Sequence, residues 1–191
     1  MSCSGLFLGA QVSCTDPLVS AVEQRIFIAN LKDFTYTSNV TETNQVDTIT
    51  MATGKYFWEF EGIKQSISCQ AEKVPQNFSS AYKHTVDFSV FDVSAQQRRN
   101  LEAMSYQPMA AIVYGPNDSS LGNAAFEIYG LNTGLDVASL IRINADNETG
   151  GAYRVQLASP DSGGIEPHLP FTFFDTDYAT TLAAVLALKS A

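Results

Sequence analysis

Hydrophobic and polar positions alternate most cleanly in the middle of the chain. His84, Val86, Phe88 and Val90 alternate with Thr85, Asp87 and Ser89, which predicts a strand over residues 82–90 with one buried face. The period then changes. Ser94 can cap the orphan amides of a new helix, and Gln97 three residues on has the capping-box spacing that would let it reach back. Within the helix predicted over 95–105, Leu101 and Met104 mark the inward face, while Arg98, Arg99 and Glu102 are easily solvated. Pro108 ends the helix, and residues 109–114 are apolar enough for a buried strand. This short amphipathic helix between two strands is the unit around which an otherwise strand-rich chain is organised.

Before that unit, residues 1–24 read as an irregular lead-in with a turn at Asp16-Pro17, and residues 25–31 as a strand placing Ile26 and Ile28 opposite Phe27. Residues 32–47 are rich in Thr and Asn, with Phe34 and Tyr36 as large apolar groups. The stretch is either a surface loop or an arm that a neighbour orders, docking through Phe34, Tyr36 and Val40. Residues 46–51 and 55–61 flank Thr53-Gly54 and predict a hairpin, and the arm could extend through it, over 32–61. Gly62 marks a bend before a strand at 63–70, and residues 71–81 read as a polar connection broken by Pro75.

After the central unit, residues 115–123 are dense in turn formers, and 125–130 return as a strand followed by a turn at 130–134. Residues 137–145 and 152–159 predict a hairpin, 160–170 a loop and 171–174 a last short strand. Asp177 caps a C-terminal helix over 178–189, with Leu182, Val185 and Leu186 as its apolar stripe and Lys189 complementing the helix dipole. The fold class expected is mainly β (α+β): one domain over residues 1–191, an antiparallel β-sandwich or barrel with a short central helix and a C-terminal helix.

Composition narrows the function classes. A hydrophobic content of 45% supports a core, and twelve Phe with eight Tyr favour strands. The formal charge of −9 lacks the basic stripe of a phosphate-tracking nucleic-acid binder. Cys3, Cys14 and Cys69 show no CxxC spacing, so a disulfide scaffold is not expected; Cys3 and Cys14 remain the pair that could bridge or share a metal. Residues 1–4 supply no Lys or Arg side chain for a signal peptide, and Gln11 stands where a lipoprotein cleavage site needs an aliphatic residue, so no export signal is expected. No apolar run approaches the roughly 18 residues of a membrane helix.

The chemistry-bearing residues form no catalytic pattern. His84 lies within a strand and reads as a packed or surface residue. His168 with Glu166, Asp175 and Asp177 has no ligand spacing, and Pro167 and Pro170 make the segment a loop. Asp146, Asn147 and Glu148 lack the twelve-residue calcium loop. The Asn-x-Ser/Thr triplets at Asn39, Asn77, Asn117 and Asn147 are what Asn-rich loops contain. With no phosphate loop or nucleophile elbow, neither an enzyme nor a cofactor or metal site is expected.

A family likeness lies in the second half. Phe126-Glu127-Ile128-Tyr129-Gly130-Leu131, Gly134-Leu135, Gly150-Gly151, Glu166-Pro167 and the run from Phe173 to Thr180 resemble virion structural proteins of tailed phages and prophages, closest to tail-tube-like proteins including those of Bacteroidetes phages. The likeness covers residues 125–184; the first 60 residues do not share it. The order of strands, one central helix, then strands is also similar to the tube proteins of contractile injection systems. What the resemblance implies is a subunit that self-associates into hexameric rings and stacks them into a tube, meeting other tail or neck proteins. DNA would pass through the lumen without specific binding. It also implies synthesis in the bacterial host cytoplasm, residence in the virion tail, and no membrane partner. An acidic lumen would let DNA slide, and the charge of −9 allows one without locating it. Two alternatives stay open: a head-tail connector, tail-terminator or capsid decoration protein, and a ligand- or carbohydrate-binding β-sandwich, which exposure of Trp58 and Tyr56 would favour.

Overall fold

In a computed structural model of the chain, residues 25–63, 66–75, 80–115, 123–145, 150–160 and 165–189 are described. The predicted lead-in, Cys3, Cys14, Asn77, Asn117, Asn147 and most of the turns at 115–123 and 146–149 lie outside them. The strands are β1 (Arg25–Asn30), β2 (Phe34–Ser38), β3 (Gln45–Met51), β4 (Trp58–Glu61), β5 (Ile67–Pro75), β6 (Ser80–Val90), β7 (Met109–Tyr114), β8 (Phe126–Tyr129), β9 (Asp136–Arg142), β10 (Tyr153–Ala158) and β11 (Phe171–Phe173). Two helices, α1 (Ala95–Met104) and α2 (Tyr178–Leu188), complete the set, giving the mainly β architecture expected. No helix among the described residues is long and apolar enough to cross a membrane.

The strands form a seven-stranded sheet, β2-β3-β11-β8-β7-β1-β4, and a four-stranded sheet, β5-β6-β10-β9. The larger sheet cannot be flat. Four strands separate β1 from β2, about 24 Å at ~4.8 Å per strand, yet the link from Asn30 to Phe34 spans at most ~15 Å at 3.8 Å per residue. The sheet therefore curls toward a half-barrel, and its two ends approach: Phe34 of β2 packs on Phe57, the residue before β4, at 5.3 Å.

Curling gives the larger sheet two buried faces and the molecule two cores. Ile26 and Ile28 of β1, with Met109, Ala111 and Val113 of β7, face the smaller sheet and meet Val86, Phe88, Val155 and Leu157 there. Phe27, Ala29, Ala110 and Ile112 point the other way, into the curl, where Val185 and Leu188 of α2 fill the space. The continuous apolar run of β7 reflects this burial on both faces.

The central unit forms as its pattern predicts, with one change of partner. Ser94 Oγ accepts from the Gln97 amide at 3.2 Å, but Asp92 Oδ1, not Gln97, accepts from the Ser94 amide at 2.8 Å. An Asp two residues upstream closes that ring at less entropic cost than a long Gln reaching back. Leu101 and Met104 are buried at the edge of the inter-sheet core.

Four expectations give way to tertiary pairing. Residues 46–51 and 55–61 do not pair: β3 lies against β2 and β11, and β4 against β1, because the curl carries the chain across the opening between them. Residues 71–75 continue as strand to Pro75, which an edge strand tolerates since half its amides face outward. The pairing of β11 with β3 is parallel, an exception to an otherwise antiparallel sheet. In α2 the buried stripe is Thr181, Val185 and Leu188, with Leu182 and Leu186 half-buried, and Lys189 donates to Glu59 Oε2 at 2.9 Å.

Leu101 retains 2% of its surface exposure. Leu101→Ala is therefore expected to destabilise the protein by about 2–5 kcal/mol in denaturant melts. A loss below about 0.5 kcal/mol, the range of surface substitutions, would place that helix face outside the core.

Candidate functional site

The chain crosses between sheets after β8 and returns after β10, and one carboxylate ties the two crossings together. Glu166, fully buried on the return segment, receives the amides of Asn132 at 3.2 Å, Thr133 at 2.9 Å and Gly134 at 3.3 Å. Asn132 Nδ2 at 3.0 Å and Thr133 Oγ1 at 2.9 Å complete the set. All of these are donors, which matches an acceptor-only carboxylate. Converging amides need a tightly wound loop, and Gly130 and Gly134 supply positive φ of 72° and 89° at its ends. A Cβ on Gly134 would stand 2.5 Å from Pro108 Cβ, so packing as well as backbone conformation demands glycine there.

His84 sits beside this nest. The Gly130 amide donates to its Nδ1 at 3.2 Å, which leaves Nε2–H to donate to the His168 carbonyl at 3.0 Å. Both ring nitrogens are thus used by the neutral ring. Desolvation lowers its pKa, against the opposing pull of the Glu166 charge and the His168 carbonyl. The two residues singled out as chemistry-bearing, His84 and Glu166, are brought together, but as a latch between crossings. His168 contributes its backbone carbonyl to it, and Asp177 caps α2 by accepting from the Thr180 amide at 2.8 Å. Among the described residues, no group of three or more His, Cys, Asp or Glu side chains could hold a metal. The Cys69 thiol is pushed up to about 12 by burial, then by Glu127 and Asp87, so it carries almost no thiolate at neutral pH.

Of the three arm candidates, Phe34 is packed within its own domain, whereas Tyr36 and Val40 stay exposed, Val40 at 98%. Asn39 organises the tip of this hairpin, its Oδ1 accepting from the amides of Thr41 and Glu42 at 2.8 Å each and its Nδ2 reaching Asp47. Trp58 and Tyr56 are also exposed.

The smaller sheet presents a polar outer face. Its outer face carries Gln70 of β5 and Thr85 of β6, and Ser68 of β5, Asp87 and Ser89 of β6, Arg154 and Gln156 of β10, and Ser139 and Ile141 of β9 surround a hollow of about 360 Å³ there. Gln156 donates to Asp87 at 2.9 Å. Glu72 and Lys83 stand opposite each other, so charge on this face is nearly balanced rather than acidic. Neither edge of this sheet has a partner strand among the described residues. β5 shows polar side chains, but β9 and the residue after it leave Leu140, Ile141 and Ile143 exposed. Alternation alone did not mark this, since β9 has no clean hydrophobic face; the signal is an apolar run lacking an edge-protecting Lys or Pro.

Comparison with protein-family models, with curated proteins and with solved structures returned no match.

The latch carries two expectations. Glu166→Ala leaves several buried donors unpaired and is expected to cost at least about 3 kcal/mol of stability. Because the folded state depresses the His84 pKa below its ordinary 6.5, the unfolded chain takes up that proton first, so stability is complete above about pH 6.5 and falls as pH drops below it. One proton limits the slope to about 1.4 kcal/mol per pH unit. Denaturation midpoints between pH 5 and 8 should show this fall, and His84→Gln should flatten it.

Proposed function

We propose that the chain is a self-assembling structural subunit, a tail tube protein of a tailed phage, whose rings stack into the conduit for DNA. The observation that carries the reading is the four-stranded sheet, whose two unlike edges have no partner strand among the described residues. Its strands alternate in direction from β5 to β9, so β9 of one copy laid against β5 of the next continues the antiparallel order. Unlike edges make a head-to-tail contact, which closes into a ring when the rotation per copy fits. Six such sheets would enclose a barrel about 45–50 Å across between backbones, from ~4.8 Å spacing and ~40° tilt. In that ring the outer face of the sheet becomes the lumen.

The hydroxyl- and amide-rich face suits such a lumen. With positive and negative groups nearly balanced, DNA has no row of cations on which to release counterions and stick. In this reading the tip at Val40 is what remains of the arm able to reach a neighbour, with Phe34 as its anchor. The protein would be made in the host cytoplasm and reside in the virion tail. A connector or terminator would use the same edges but stop at one ring.

Electron microscopy of the concentrated protein should show rings or stacked tubes. Ile141 is 52% exposed, so Ile141→Lys should abolish them while leaving the melting temperature of the dispersed protein within a few degrees. Tubes that persist unchanged in the Ile141→Lys variant would exclude β9 as the joining edge, and particles that remain single at every salt and concentration would remove the tube reading.

A further inference from the structure

Trp58 is the chain's single tryptophan, and the fold leaves it 53% exposed, although Phe60, two residues along β4, is buried. Two adjoining grooves, of about 230 and 260 Å³, meet at this indole, and Trp58, Phe60 and Asn100 line both. Gln107 borders one, and Glu59, Glu61, Asp92 and Gln97 border the other. Either groove alone is small for a ligand site, but joined across the indole they reach the size at which small molecules bind.

The polar groups around the ring are side-chain amides and carboxylates, and of the carboxylates Glu59 is already paired with Lys189 and Arg25. The side-chain amides of Gln97 and Asn100 have no protein partner among the described residues, and Gln107, whose carbonyl oxygen accepts from Lys32 at 2.7 Å, still offers its NH₂ group. No Lys or Arg lines either groove. An anion would therefore meet Asp92 and Glu61 without a compensating cation in the groove. A cation could use the ring and these carboxylates but would leave the amide donors idle. A neutral polyol uses all of them: the C–H face of a sugar ring lies on the indole, and its hydroxyls both donate and accept.

We propose that the trough centred on Trp58 binds a neutral saccharide, with one pyranose ring stacked on the indole and flanking hydroxyls held by Gln97, Asn100, Gln107 and Asp92. The proposal does not depend on the tube reading, because the trough lies between β4 and α1 and uses no residue of the smaller sheet's open edges.

Having one tryptophan makes the test direct. The whole protein, dilute enough to remain dispersed, is titrated with neutral gluco-, manno-, xylo- and galacto-hexasaccharides while indole emission is recorded. A saturable shift to shorter wavelength with at least one of them is expected, weakened about tenfold or more by Asn100→Ala, the loss of one well-placed hydrogen-bonding group. Calorimetry on Trp58→Phe, which keeps a stacking plane, should show weaker but measurable binding. No saturable response to any sugar up to about 10 mM, an affinity too weak for a specific site, overturns the proposal. So does an equal response to tetramethylammonium chloride, which identifies a cation site, or sugar binding that Asn100→Ala and Gln97→Ala leave unchanged, which puts the sugar elsewhere.

Discussion

A single buried carboxylate decides whether the two sheets of this molecule hold one relation to each other. Glu166 lies on the segment returning from β10, and the residues it holds, Asn132 to Gly134, lie on the segment leaving β8. Between antiparallel sheets, apolar packing alone is nearly indifferent to small sliding, because hydrophobic contacts have no direction. Hydrogen bonds to a carboxylate have both direction and length, and leaving them unmade inside the protein is costly. The same segments exchange backbone bonds with β6 and β7, through Tyr82 with Glu166 and Met109 with Leu135. His84 adds a third tie by bridging Gly130 and the His168 carbonyl. The inter-sheet core can then be built from ordinary aliphatic residues, because its register is set at the crossings.

The second constraint is chain length. A link of only a few residues between β1 and β2 cannot span a flat seven-stranded sheet, so curvature follows from connectivity. Curvature in turn creates a concave face that must be filled, and α2 fills it. The buried Val185 and Leu188 replace what a second sheet would supply in a plain sandwich, and Lys189 with Glu59 pins the helix end to the far strand. Phe57 closes the seam by bonding to the Leu188 carbonyl and packing on Phe34.

How much of this was legible follows from which forces are local. The strand containing His84 to Val90, the cap at Ser94, the face of Leu101 and Met104 and the cap at Asp177 were all readable, because each depends on residues within one or two turns of one another. The pairing of β3 was not. Gly54 does adopt the positive φ of a turn, but a turn of that kind also serves a chain crossing to a distant strand. The extension of β5 to Pro75 was hidden because Glu72 and Lys73 resemble a loop until β6 is placed beside them. Glu166 offered no local sign at all. Its donors stand more than thirty residues away in the sequence.

The distribution of charge completes the physical account. The formal charge of −9 does not locate the acidic groups, and the outer face of the smaller sheet carries both signs, with Glu72 opposite Lys83. Several of the acidic groups lie instead at the hairpin tip, along β4 and before each helix, at Glu42, Asp47, Glu61, Asp92 and Asp177. Charges so placed repel across gaps of several ångströms, where salt at physiological strength screens them over about 8 Å. They oppose random face-to-face sticking and lie outside the β9 edge. Along β9 the exposed Leu140 and Ile141 offer side chains to an incoming strand, and neighbouring strands bring none of the like-charge clash that protects most open edges. The interior is thus over-determined by buried hydrogen bonds, while among the described residues β9 presents an apolar strand edge with no strand beside it.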